Sequence, residues 1–233
     1  MPSAAERTRT LVQSTCSAVL LVPGLRRLPS EQLTPLARTV GPEGDVFLEL
    51  PAGSPVVRAA EHARAGEPEA VLEITDVAPV SVPHRVRGRA WVSGRLTAVP
   101  GLSGPSRTTL RLATEEAYVD DLWGARAVRP EELGAAAPDP FLEHEAELLQ
   151  HLATAHGEQL RSLRGLLGGR TAGRCPAHLP SVVPLALDRY GLRVRLCEPT
   201  GQCYDARFEF PEPVWDAAAL SYAVRTLFEA AAR

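Results

Sequence analysis

The C-terminal part of the chain follows a pattern that leaves few folds open to it. A helical period runs from Phe141 to about Leu167. Three short apolar segments separated by turn residues follow near 183–188, 192–197 and 202–210, and they predict a three-strand meander. Asp216 is then placed to cap a closing helix. The pattern therefore predicts a small α-β-β-β-α domain that begins at residue 141.

The preceding residues predict short strands with a few small helices between them. Helices are expected over residues 4–14 and from the Ser54 cap to about Ala65. Strands are expected near residues 16–22, 45–50, 69–76, 84–98, 107–112 and 115–120. Such a series is typical of a partly closed antiparallel barrel, which we place in residues 1–124. Residues 125–140 are rich in alanine and proline, as is typical of a linker.

The chain contains no lysine, so the 25 residues counted as lysine or arginine are all arginines. This excludes Schiff-base chemistry and P-loop nucleotide binding, because both need a lysine amine. The formal net charge of −3 gives no general attraction to nucleic acid. No export signal is visible, and no apolar run approaches the roughly eighteen residues that span a membrane. We therefore expect a cytoplasmic protein that binds neither nucleic acid nor a membrane.

The cysteines are too few for a disulfide scaffold, and reduced thiols are expected in the cytoplasm. They are Cys16, Cys175, Cys197 and Cys203. The last three, together with His178, offer four ligands of the type that zinc prefers. However, they contain one close pair only, and Cys197 and Cys203 can instead face each other across a hairpin. We therefore predict no metal site.

Two histidines of the predicted helix are candidates for binding. On a continuous helix, His156 falls within the stripe of leucines and is interpreted as a packed residue. His151 lies off that stripe, where it can reach a cleft or simply face solvent. The histidines of this helix include no pair with i, i+4 spacing, which excludes a zincin-like metal site.

An arginine-rich strand is the second candidate, and it follows directly after His84. Alternation along a strand places Arg85, Arg87, Arg89 and Trp91 on one face, while small and aliphatic residues occupy the other. Arginines about 7 Å apart can bind carboxylates or a phosphate, and the indole can stack on a planar ring. The alternative is a solvated strand face that discourages aggregation.

Two motifs in the C-terminal part carry a resemblance to a known family. They are His151-Leu-Ala-Thr-Ala-His156 and Phe210-Pro-Glu-Pro213. With them the chain resembles the HugZ-like haem-utilisation family. Its members join a pyridoxamine 5'-phosphate oxidase-like, FMN-binding split barrel to a small C-terminal domain of unknown function. The family's helix motif is His-Met-Asn-x-Asp-His, so Ala153 and Ala155 here replace an asparagine and an aspartate.

The resemblance implies an α+β fold in which a split β-barrel, of the flavin-reductase and pyridoxamine-phosphate-oxidase kind, precedes the α-β-β-β-α domain. It also implies a homodimer that holds haem or a related tetrapyrrole in a groove where the subunits meet. The residues then expected to bind the cofactor are Arg85, Arg87, Arg89, Trp91, His84 and His151.

The function implied is binding of a tetrapyrrole by a carrier or regulator, with haem degradation, and hence enzymatic activity, left open. One alternative is a cofactor-free interaction or regulatory module that holds a partner protein. A second alternative is an FMN-dependent oxidoreductase. FMN is less favoured than haem, because the arginine and lysine clamp that holds the flavin phosphate in true pyridoxamine-phosphate oxidases is not found in the sequence.

Overall fold

The computed structural model describes residues 1–25, 27–62, 66–101, 104–167, 181–198 and 201–232. The chain divides into two compact units. The N-terminal unit comprises Pro2–Val77 and Val86–Pro138, and the C-terminal unit comprises Met1, Ala78–Arg85 and Asp139–Arg233. The boundaries expected from the sequence did not anticipate that the short segment Ala78–Arg85 groups with the C-terminal unit.

The N-terminal unit is built on one antiparallel sheet of seven strands. In chain order they are β1 (Ser17–Leu21), β2 (Ala37–Val40), β3 (Val46–Pro51), β4 (Glu69–Val77), β5 (Val86–Ala98), β6 (Arg107–Asp121) and β7 (Gly124–Val128). Their order in the sheet is β1-β4-β5-β6-β3-β2, and β7 also pairs with β6. The long strand β6 pairs with β5 on one edge and with β3 and then β7 on the other. A curled sheet of this kind fits a split barrel.

Alternating apolar residues place one face of this sheet in the core. Val46, Leu48 and Leu50 of β3 are fully buried, as are Leu72 and Ile74 of β4. The helices of this unit are α1 (Ala4–Gln13), α2 (Pro55–Glu61) and α3 (Pro130–Ala135), with a 3-10 turn at Ser30–Gln32. The predicted cap of α2 is confirmed, because the Ser54 side chain accepts a hydrogen bond from the Val56 backbone N–H.

The segment expected to be a linker, residues 125–140, instead carries most of β7 and all of α3. A tight turn with Gly124 at a φ of 91° reverses the chain after β6, so β7 pairs directly with it. The small residues that favoured a linker permit close packing. A Cβ atom added at Gly134 would lie 2.2 Å from the carbonyl oxygen of Pro42.

The C-terminal unit combines helices with a second, smaller sheet. Its elements are α4 (Glu145–Ala155), α5 (Gly157–Ser162), a 3-10 turn (Leu163–Leu167), β8 (Ser181–Asp188), β9 (Gly191–Cys197), β10 (Cys203–Glu209) and α6 (Ala217–Ala231). The three strands form an antiparallel sheet with β9 in the centre. Asp216 caps α6 as predicted, since its carboxylate accepts a hydrogen bond from the Ala219 N–H at 2.8 Å.

The continuous helix expected over residues 141–167 is interrupted at His156. This residue has φ −123° and ψ 28°, ends α4 and precedes α5. Its own N–H still bonds to the carbonyl of Leu152. Gly157 follows, and glycine is about 1 kcal/mol less favourable than alanine inside a helix, so the break falls where the helix is weakest.

A disulfide joins Cys197 and Cys203, which face each other in the register of β9 and β10. The hairpin placement that the sequence left open is therefore correct, but the expectation of reduced thiols is wrong for this pair. Cys175 and His178, the other half of the zinc interpretation, lie outside the described residues. Among the helices that the structure describes, none is both long and apolar enough to cross a membrane.

Candidate functional site

Arg87 is buried and does not share an exposed face with Arg89, contrary to the strict alternation expected along this strand. Its side chain is 8% exposed, and its Nη2 atom lies 2.8 Å from Oδ1 of the buried Asp76. The cause is a β-bulge in β5: Asp76 pairs with Gly88 and Val77 pairs with Val86, so Arg87 is the extra residue and the strict alternation is broken there. The charge of Arg87 is thus matched by a carboxylate inside the N-terminal unit.

The same carboxylate accepts a hydrogen bond from the thiol of Cys16, with Sγ and Oδ1 3.4 Å apart. Burial, followed by the negative charge of Asp76, raises the pKa of this thiol to about 11. Cys16 therefore stays protonated near neutral pH and is a poor nucleophile. Cys16 and Arg87 thus share the Asp76 carboxylate as their partner within the N-terminal unit.

Arg89 is exposed, while Trp91 is half-buried and packs against Tyr118 with 5.9 Å between ring centroids. A cleft of about 570 Å³ lies beside Trp91 within the N-terminal unit. Four carboxylates line it, from Glu69, Glu73, Glu115 and Glu116. Such a lining disfavours the carboxylate or phosphate ligand that the sequence predicted for this face.

His84 and Arg85 belong to the C-terminal unit, where a buried arginine fixes their segment. Nη1 of Arg195 donates hydrogen bonds to the carbonyl oxygens of Pro83 and His84, both at 2.7 Å. The guanidinium of Arg85 donates to the carbonyl of Ala78. His84 has φ 54° and is the one non-glycine residue with a positive φ in the described part of the chain.

We expect His84→Gly to raise the free energy of unfolding by up to about 1 kcal/mol. A left-handed backbone costs a residue with a side chain about 1–2 kcal/mol, and glycine avoids most of this cost. Urea denaturation against wild type measures the change, with His144→Gly at an exposed position of negative φ as the matched control. A loss of stability in His84→Gly would mean that the imidazole itself makes stabilising contacts.

A pocket of about 540 Å³ lies within the C-terminal unit, lined by residues of α4, α5, β8 and α6. Most of its lining is apolar, with Leu148, Leu152, Leu187, Leu220, Val224 and Phe228. Its polar side chains include His151, His156, Arg225 and Glu229. An apolar cavity of this size with a few polar groups is the usual form of a small-molecule site.

The two imidazoles of this pocket contact each other. Nε2 of His151 lies 3.3 Å from Nε2 of His156, and the rings meet edge to face with 5.1 Å between centroids. The ring of His156 also stacks on Phe228 at 5.9 Å. Nδ1 of His156 is buried and has no hydrogen-bond partner among the described residues. His151 is exposed, so its other nitrogen can bond to water.

The sequence pattern predicted His151 as a site residue and missed His156. On a straight helix, residues five positions apart point about 140° away from each other. Because α4 ends at His156, the side chain of this residue does not follow the helical period, and its ring can turn towards His151. The one feature of the sequence that indicated a break in the helix was Gly157, which directly follows His156.

Comparisons with known structures support this fold. A heme binding protein from Mycobacterium smegmatis matches with a TM-score of 0.60 and 21% identity, over 100% of this chain and 98% of that protein. At this identity the match shows a shared fold, a mixed α and β protein built on a split-barrel sheet. No protein-family model and no curated protein sequence matches the chain.

Two further structures match at lower TM-scores. A protein of unknown function from Agrobacterium tumefaciens has a TM-score of 0.39 at 17% identity, over 98% of this chain and 97% of that one. An FAD and heme binding protein from Mycobacterium smegmatis has a TM-score of 0.35 at 16% identity, over 55% of this chain and 83% of that one.

Proposed function

We propose that this protein binds haem or a related tetrapyrrole, as a carrier or regulator. The observation that carries the proposal is the pocket of the C-terminal unit, which combines apolar walls with two imidazoles. It is supported by the full-length likeness in fold to a heme binding protein. Homodimerisation, which the family resemblance implies, is part of the same proposal.

The pocket has the groups that a haem requires. The macrocycle is planar and largely apolar, which suits a lining of leucines and Phe228. Haem iron is commonly held by an imidazole nitrogen, and His151 is the exposed imidazole of the pair. The propionates favour an arginine, and Arg225 lines the same pocket. Of the residues predicted from the sequence, His151 therefore fits this role best.

Titration with hemin is expected to give a saturable Soret shift at one haem per protomer. Replacing His151 with alanine should weaken binding at least tenfold, equivalent to about 1.4 kcal/mol, because an iron ligand is lost. His144→Ala is the matched control, since His144 is an exposed histidine just before α4. A titration with FMN runs alongside, and we expect no saturable binding.

The outcomes of these titrations distinguish haem binding by the protein from the identity of the iron ligand. If hemin gives no saturable change with the wild-type protein, the haem proposal is contradicted. If His151→Ala binds hemin as tightly as His144→Ala does, haem binding stands but His151 is not its ligand.

A cofactor-free interaction module is the second candidate, and exposed aromatic side chains favour it. Trp215 and Tyr222 are 63% and 64% exposed, and these residue types are enriched in protein interfaces. Arg189 lies over the Trp215 ring at 4.7 Å and holds it in place on the surface. This function would be preferred if neither hemin nor FMN binds.

A further inference from the structure

In the protein without haem, the imidazole pair has a second property. In a tetrahedral zinc site, Zn–N bonds of about 2.0–2.1 Å place two ligating nitrogens about 3.3–3.4 Å apart. Nε2 of His151 and Nε2 of His156 are 3.3 Å apart. The spacing therefore equals that of two ligands on one metal ion.

We propose that His151 and His156 chelate one divalent transition-metal ion, with Zn²⁺ as the best fit to their spacing. This inference goes beyond the proposed function and does not depend on it. Imidazole nitrogen suits Zn²⁺, Cu²⁺ and Ni²⁺, whereas Mg²⁺ and Ca²⁺ prefer oxygen ligands. The arrangement depends on the break after α4, because a continuous helix would separate the two rings.

The protein supplies two ligands to this ion. Among the described residues, no group of three or more histidine, cysteine, aspartate or glutamate side chains could hold a metal. The remaining coordination positions are therefore filled by water or by a donor atom of a bound molecule. Arg225 and Glu229 also line the pocket, and their side chains lie 4.0 Å apart, so their opposite charges largely cancel near the ion.

The positions of the protons on the two rings indicate that the metal ion binds weakly and exchanges readily. A metal on both Nε2 atoms requires both Nδ1 atoms to carry hydrogen. On the exposed His151 that N–H can bond to water. On His156 it is buried and has no acceptor within the described part of the chain. Loss of such an outer partner typically weakens metal binding 10- to 100-fold, so we expect weaker binding than at a site where both rings keep this hydrogen bond.

Without metal, the same spacing allows a hydrogen bond in which one Nε2–H donates to the other Nε2. If His156 donates, its buried Nδ1 is left as an unpaired acceptor; if His151 donates, His156 carries its proton on Nδ1, which has no acceptor among the described residues. Metal binding must displace this hydrogen bond. The two states are thus alternatives for the same pair of nitrogens, and added metal separates them experimentally.

The test is isothermal titration of the untagged, hemin-free chain with Zn²⁺, repeated with Mg²⁺. We expect His151→Asn to bind one Zn²⁺ fewer than wild type, or to bind that ion at least tenfold more weakly. His144→Asn should match wild type, and Mg²⁺ should not bind at this site. The difference between variants is the readout, so zinc held elsewhere in the chain contributes equally to both and cancels.

His156→Asn is the second variant, and circular dichroism checks its fold because His156 stacks on Phe228. If His151→Asn and His144→Asn bind Zn²⁺ with the same stoichiometry and affinity, the metal proposal is overturned. Because hemin is absent throughout, a failure of the haem proposal leaves this result unchanged. A protein that binds hemin but shows no zinc difference would retain the first proposal and lose the second.

Discussion

Replacing Arg195 with methionine should lower the free energy of unfolding of the C-terminal unit by about 3 kcal/mol. The guanidinium is 10% exposed, and it holds both carboxylate oxygens of Asp205, at 2.6 and 2.8 Å. It also donates to the carbonyls of Pro83 and His84. Breaking a buried ion pair costs about 3–5 kcal/mol, and the 21% exposure of Asp205 places the value at the lower end.

The hydrogen bonds with Asp205 raise the pKa of Arg195 further above its usual range, so the residue stays charged while the protein is folded. Urea denaturation followed by circular dichroism measures the loss. Arg225→Met is the control, because that arginine is exposed and its ion pair spans 4.0 Å. An equal effect of the two substitutions would show that Arg195 does not fix the segment around His84.

Sequence reasoning succeeded where the interactions are local. Ser54 and Asp216 were assigned as helix caps, and both accept the expected hydrogen bond, because capping depends on residues within three positions. The strands of the meander were also placed to within a few residues. The mixed α and β character and the antiparallel sheet follow from the same short-range patterns.

Long-range effects account for what the sequence did not reveal. Strands β2 and β7 are an exception, because each pairs with its chain neighbour across a short turn; they were missed because they have only four and five residues with little apolar alternation. The burial of Arg87 depends on a β-bulge at this residue, and the position of the bulge is set by the pairing of β5 with β4. The contact between His151 and His156 depends on one residue leaving the helical conformation. At these points, packing with other parts of the protein interrupts the periodic pattern of a strand or a helix.

Arg87→Met is expected to cost about 3–5 kcal/mol of stability, because it leaves the Asp76 carboxylate buried without its guanidinium partner. The two side chains are 8% and 12% exposed, so water compensates little. Arg89→Met provides the control, since Arg89 lies two positions along the same strand and is exposed. Its substitution should change stability by less than about 0.5 kcal/mol.

The double variant Arg87→Met/Asp76→Leu decides between a structural and a ligand-binding role for Arg87. Removing both charges should recover most of the stability, because an apolar pair can replace a buried ion pair at little cost. The refolded double variant should then bind hemin as wild type does. If it regains stability but binds hemin more than tenfold more weakly, Arg87 contacts the ligand as the sequence predicted. If stability is not regained, the loss does not come from the unpaired carboxylate.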